Sequence, residues 1–315
     1  MDSIFPIGIN DIRLRRDLIA AGWRDRDIAR AVEGGLIGKV RYGAYVDASP
    51  WGSLDEIGRH RVRARAVLKT AHPSTVLTHQ SALTELGVPL WRLRLDEVAT
   101  TRTDGISGRR DRGVVQHSGA IHLEDLTVRH GVPMSTAARA AIETLTVTDL
   151  ELGYCILNAL LHLRRTTIEQ VRRVAAQSDH WPNSLAVRIA LGLADPRLSS
   201  IAESRFRFLC YRQGLPFPEP QVEVHDQGRL IGIVDFLWRM WEVFLEFDGR
   251  IKYEIFRRPG ESLADYLMRE KRREEQICQV TGWICLRITW EDLENPIATA
   301  RRIRAVLDKR RPAAS

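Results

Sequence analysis

The chain opens on two short stretches of helical apolar spacing. In "DIRLRRDLIAAG", Ile12, Leu14, Leu18, Ile19 and Ala21 fall roughly on one stripe that stops at Gly22, and "RDRDIARAVEGG" repeats the pattern with Ile28, Ala31 and Val32 before Gly34 and Gly35. Two short helices about a tight turn at Gly22-Trp23 match a helix-turn-helix spacing. The alternating "LIGKVRYGAYV" that follows predicts two short strands around Tyr42-Gly43, placed as a wing would be.

From about Trp51 to Asp195 the periods mix. A helix over 55–71 carries the basic run "RHRVRAR", which reads as a solvated face above Ile57, Ala64 and Leu68. "VLTHQSALTELGVP" predicts a strand entering a helix, "EVATTRT", "GVVQHSG" and "DLTVRHGVP" predict short strands, and "STAARAAIETL" through "QVRRVAAQ" is a long helical region. His79 in the first of these reads as a cap or a satisfied polar group. A boundary is expected where Pro182, Pro196 and Ser199-Ser200 punctuate the helices.

The last segment alternates differently. The helix "SIAESRFRFLCYRQG" is followed by three strands, "QVEVHD", "LIGIVDFLW" and "WEVFLEFDG", then a charged helix ending near Gly282, then the strand "WICLRITW". Tight hairpins can join the three strands, whereas the last must return across a helix. If Arg239-Met240 form a two-residue turn, Trp238 pairs with Trp241 and Asp235 lies opposite Phe244. Asp235 and Glu246 are then diagonal neighbours on one face with Asp248 in line, while Val243, Leu245 and Phe247 supply core on the other.

At 315 residues the chain has room for two or three domains, and its hydrophobic and charged fractions are those of a soluble protein. A net charge of +7, from 47 basic and 40 acidic residues, leans toward an acidic partner such as nucleic acid. Four cysteines without a CxxC pair, no basic leader before an apolar run and no apolar stretch long enough for a membrane span give the expectation of a cytoplasmic protein with no membrane partner. There is no HExxH, phosphate loop or dinucleotide fingerprint, so metalloprotease, ATPase and dehydrogenase readings have no residues to stand on.

The acids are the candidate chemistry. Two neighbouring carboxylates can converge on one hard divalent ion, Mg2+ or Mn2+, completed by water and substrate phosphate, and such an ion activates water for attack on a phosphodiester. Asp235 and Glu246 are the expected metal ligands. Glu203 on the preceding helix is placed to add a ligand or orient a metal-bound water, and Lys252 to polarise the phosphate. Asp248 reads either as a further ligand or as a turn residue before Gly249.

"IVDF", "FLEFDGRIKY", "REKRREEQI" and "TGWICLRITWEDL", spread over about Ser200 to Leu307, resemble the DUF559 group, related to the very-short-patch-repair endonucleases of the PD-(D/E)XK superfamily. That resemblance implies a restriction-endonuclease-like α-β-β-β-α-β domain over 196–315, core carboxylates at Asp235 and Glu246, a helix acid at Glu203, and supporting roles for Glu270 and Arg273. Asp248 stands where the family places a lysine, with Lys252 as its replacement.

"AAGWRDRDIARAVEGGLIGKVRYGAYVD", "THQSALTELGV" and "HGVPMSTAARAAIETL" resemble AbiEi-type antitoxins of type IV toxin-antitoxin pairs. This implies a winged-helix DNA-binding domain over 1–50 and a mixed α/β and helical middle domain over 51–195. Arg24, Arg26 and Arg30 would face a groove and Lys39 and Arg41 the backbone. Residues 1–50 hold eight basic and seven acidic residues, a net of only +1. The whole chain is thus expected to be a multi-domain α/β protein with DNA as its partner. A cognate toxin or defence protein is a second expected partner. The activity expected is a Mg2+-dependent endonuclease, with a transcriptional repressor carrying an inactive nuclease fold as the alternative.

Overall fold

In the computed structural model, which describes residues 5–106, 108–248 and 260–310, the chain is mixed α/β with three separate sheets. It divides into two units, Met1–Gly192 and Leu193–Ser315. None of the helices among the described residues is long and apolar enough to cross a membrane.

In the first unit, β1 (Arg13–Leu14), β2 (Ile37–Arg41) and β3 (Ala44–Asp47) form an antiparallel sheet in the order β1-β3-β2. The first predicted helix is shorter than its apolar stripe. Arg13 and Leu14 pair with Tyr45 and Ala44, so α1 starts only at Arg15 and runs to Ala20. Helix α2 (Asp25–Glu33) buries Ile28 against Leu18 and Ile37, with Trp23 packed beside them. The other side of the small sheet shares a core with α4 (Glu56–Leu68), which follows the short α3 (Ala48–Gly52). Ile12, Leu14, Val40 and Val46 meet Val62 and Ala66 there.

The basic run on α4 is therefore not a solvated face. His60 and Arg65 are both buried, and Arg61 is mostly so. Arg65 is bidentate to the buried Glu85 at 2.8 and 2.7 Å and donates to the Ile7 carbonyl, and its guanidinium lies over Phe5. Enclosure is possible because most of these polar groups find a partner, Arg63 Nε being an exception among the described residues; His60, for instance, bonds the Leu95 carbonyl and the Ser81 hydroxyl, both at 2.8 Å. A sequence pattern shows charge but not the carboxylate that will meet it 20 residues away.

A six-stranded mixed sheet follows, in the order β6-β7-β5-β4-β9-β8. Its strands are β4 (Thr75–Leu77), β5 (Val98–Arg102), β6 (Arg109–Asp111), β7 (Val114–His117), β8 (Leu126–Arg129) and β9 (Val132–Ser135). Helix α5 (His79–Leu86) leaves β4 directly, and α6 (Ala137–Val147), α7 (Leu150–His162) and α8 (Ile168–Gln177) follow, each capped by a threonine or aspartate oxygen. Gly153 lets α7 approach α6, since a Cβ there would lie 2.4 Å from Leu145 Cδ2. Helix α9 (Ser184–Leu193) ends the unit.

The second unit begins with α10 (Ile201–Gln213), capped by Ser200 and stopped by Gly214 in the left-handed region at φ +63°. Next come β10 (Glu219–Asp226), β11 (Arg229–Trp238), β12 (Val243–Asp248), α11 (Leu263–Thr281), β13 (Ile284–Thr289), α12 (Trp290–Glu294) and α13 (Pro296–Lys309). The sheet order is β10-β11-β12-β13, antiparallel except for the last, parallel pair. Phe206 of α10 packs on Phe236, Trp238 and Phe247 with ring centroids 5.1 to 5.9 Å apart, closing one face of the sheet. Burying each such aromatic contributes about 1.5–3 kcal/mol. Ile277 of α11 joins Val234, Leu237 and Phe244 in a separate cluster.

Candidate functional site

The β11–β12 connection is longer than a two-residue hairpin. Arg239–Trp241 form a 3-10 turn and Glu242 sits in the left-handed region at φ +53°, so Trp238 pairs with Val243 and Leu237 with Phe244. The pairings expected at Trp241 and between Asp235 and Phe244 are thereby corrected. Because the register moves by two residues, side-chain faces are unchanged. The ladder ends at Phe236↔Leu245, and Asp235 and Glu246 are the next residue of each strand beyond it. Asp235 is buried, and its Oδ2 accepts the Phe247 amide at 2.8 Å.

Glu203 stands in the first turn of α10 and is 1% exposed. Its oxygens accept from the Ser199 amide and hydroxyl, the Ser200 hydroxyl and the Gln221 side-chain amide, at 2.8 to 3.0 Å. All four donors are neutral. Burial, with the Asp235 charge as the next cause, holds the Glu203 carboxyl above the usual range, although the serine donors pull it down. Gln221 has φ +55° in β10, between residues that pair with Phe236 and Val234, and its side-chain amide reaches Glu203. Ser199, Ser200 and Gln221 are partners that sequence reasoning missed; Ser-x-x-Glu before an apolar run is the capping signal that would have found Ser200.

On the α11 side, Arg273 ties the site together. Its guanidinium reaches Glu246 Oε1 at 3.2 Å, Glu270 Oε2 at 3.1 Å and the Ile233 carbonyl at 3.2 Å. Burial pushes this guanidinium down, but the two carboxylates outweigh it and hold it above its ordinary value. Gly232 makes room, since a Cβ there would lie 3.1 Å from Arg273 Nη1. The alternation continues outward through Glu270 to Arg269 at 3.1 Å and Arg269 to Glu261 at 2.9 Å, while Glu274 pairs with Arg287 at 2.5 Å. The like-charged i,i+4 pairs of "MREKRREEQ" are thus each relieved by an opposite charge.

These side chains border a cleft of about 90 Å3 lined by Glu246, Asp248, Tyr266, Glu270, Arg273 and Arg287. Asp248 is exposed at its edge, opposite Thr289 in the ladder. The structure brings Glu246, Glu270 and Arg273 together and sets Glu203 within electrostatic reach of Asp235; Lys252 lies outside the described residues. Among the described residues no group of three His, Cys, Asp or Glu side chains is arranged to hold a metal. Oxygen ligands beside an acid raised first by burial and then by a like charge still fit a hard divalent ion, which needs only one or two protein carboxylates.

In the first unit Arg24, Arg26, Arg30 and Lys39 are exposed. Asp27 engages Arg24 at 3.0 Å and lies 3.9 Å from Arg26, whereas Arg30 and Lys39 have no ion pair among the described residues. Arg41 is half-buried and faces a pocket rather than an open wing.

His79 is neither a cap nor satisfied. It is buried with φ +48°, stacks on His117 with centroids 3.7 Å apart, and its Nδ1 has no hydrogen-bond partner, 3.8 Å from Glu143 Oε2. Burial pushes His79 down to about 3.

No protein-family model matches the chain. Uncharacterized proteins from two strains of Mycobacterium tuberculosis are 28% identical to it over 285 residues, which span 89% of this chain and 95% of theirs.

Proposed function

We propose that the protein binds DNA and that its C-terminal unit is a Mg2+- or Mn2+-dependent endonuclease of restriction-endonuclease-like fold, acting in phage defence or a toxin-antitoxin locus. The observation that carries this reading is a buried glutamate, Glu203, whose donors among the described residues are all neutral and which feels the charge of Asp235, with Glu246 on the neighbouring strand. A fold gains nothing from crowding like charges; a site that takes a divalent cation does. Asp235 and Glu246 would hold the ion. It would supply Lewis-acid neutralisation of phosphodiester charge and a more acidic water.

The chain's own residues perform the rest. Arg273 fixes the Glu246 carboxylate, and Glu270 fixes Arg273. Gln221 and the two serines hold Glu203 in one rotamer behind Asp235. In the first unit, a winged helix would offer Arg30 and Lys39 to phosphate, and Arg24 and Arg26 only after they leave Asp27. The test is cleavage of supercoiled plasmid and of short DNA with Mg2+, Mn2+ or EDTA. Metal-dependent nicking by wild type that Asp235→Ala and Glu246→Ala both lose supports the nuclease.

A second reading is an antitoxin-type repressor with an inactive nuclease fold, and Asp248, an acid in place of the family's lysine, favours it. Tight, salt-sensitive DNA binding without cleavage under any metal would select it.

A further inference from the structure

The first unit contains a pocket of about 140 Å3 under the edge of the six-stranded sheet, built from the end of β2, the segment after α4, and strands β4 to β7. Four of its lining residues are charged: Arg41, Arg102, Arg109 and Asp111. Arg102 is neutralised by Asp104, and Asp111 has Arg112 3.8 Å away. Arg41 and Arg109 have no ion pair among the described residues. Asp111 does act on Arg41 through space, but burial is the larger influence on that guanidinium and pushes it down. A half-enclosed cation without a bonded counter-ion is costly unless an anion joins it.

The floor points the same way. Thr75 and Thr100 are 6% and 1% exposed, line the pocket, and neither hydroxyl has a hydrogen-bond partner among the described residues. Gln116, from the next strand, borders the same space. Two guanidiniums and two hydroxyl donors around one cavity match a tetrahedral oxyanion, for which arginine is the preferred partner. The volume exceeds what a bare ion fills, since a single water needs only about 10–15 Å3 by this measure.

We propose that this pocket binds the phosphate group of a small phosphorylated molecule, held by Arg41 and Arg109 with the Thr75 and Thr100 hydroxyls donating to its oxygens. The ligand is independent of DNA cleavage, and Arg41 serves it rather than a wing.

The test uses the full-length protein with inorganic phosphate, ribose 5-phosphate and a short DNA duplex as probes, read by calorimetric titration and by the unfolding midpoint. Wild type should bind ribose 5-phosphate more tightly than inorganic phosphate. Arg41→Gln and Arg109→Gln should each weaken that binding about tenfold or more, and Thr100→Val by a smaller factor. Arg109 is exposed and Thr100→Val is nearly isosteric, so those two variants carry the test if Arg41→Gln does not fold. No binding of either small probe up to about 10 mM, or binding indifferent to all three substitutions, overturns the proposal. So does a duplex affinity that falls with Arg41→Gln and Arg109→Gln while ribose 5-phosphate does not bind, because the phosphate recognised is then the DNA backbone.

Discussion

Glu85 and Glu143 in the first unit and Glu203 in the second are buried acids held in contrasting ways. In the first, Glu85 is bidentate to Arg65, and Glu143 receives Arg139 at 2.9 Å while Asp125 lies 3.4 Å from the same guanidinium. In the second, Glu203 has only serine and glutamine donors among the described residues and feels Asp235 as a like charge. A matched acid is architecture: it holds elements together and leaves little charge to act on anything else. An acid crowded by another acid stores an unfavourable interaction that a cation can release.

The comparison breaks most visibly at the acids of the second unit. Asp235→Ala and Glu246→Ala should each lower cleavage about a thousandfold while the protein stays folded, in plasmid-nicking assays run beside thermal melts, with Asp235→Ala melting lower because the Phe247 amide loses its acceptor. In the first unit the largest effect should fall on stability instead. Removing Arg139 by substitution with alanine strands Glu143 and Asp125, and denaturant titration should show a loss of about 3–5 kcal/mol.

Smaller effects sharpen the contrast. Ca2+, as a non-reactive stand-in, should raise DNA affinity about tenfold in wild type and leave Glu246→Ala unmoved, because acids facing DNA repel phosphate until a cation joins them. A fluorescence titration showing equal calcium responses would remove Glu246 from the site.

Acid should weaken the first unit through His79. Unfolded, this histidine takes its proton near its ordinary 6.5, whereas folded it stays neutral down to about 3. Between those values the unfolded chain binds the extra proton, so stability falls as pH falls, by about 1.4 kcal/mol per pH unit for this group. Asn tolerates the left-handed backbone at this position, so H79N should fold and show a correspondingly flatter profile. The smallest effect expected is Asp235→Asn without metal. It keeps an acceptor for the Phe247 amide and removes the charge beside Glu203, so stability should change by less than about 1 kcal/mol or rise.

Much of the second unit was readable because strand alternation is local. Period two alone puts Asp235 and Glu246 on one face, and that survived an error in the turn, since the 3-10 segment at Arg239–Trp241 moved the register by an even number. The exact pairing was not readable, because nothing nearby in sequence announces a left-handed Glu242. In the first unit the failures share a cause: Arg65 looked solvated because Glu85 is distant in sequence, and Arg41 looked like a wing residue because its pocket is assembled from four later strands and the end of a helix. Periodicity reports which side of an element a residue occupies. It does not report what comes to meet it.

The most direct measurement of the central claim is a Mn2+ titration of the full-length protein, followed by electron paramagnetic resonance, for wild type, Asp235→Asn and Glu246→Gln. Bound Mn2+ in wild type, lost in both variants while they remain folded, is the result predicted. Wild type that binds no Mn2+, or variants that bind it as well as wild type, would mean that the crowded acids are not a metal site.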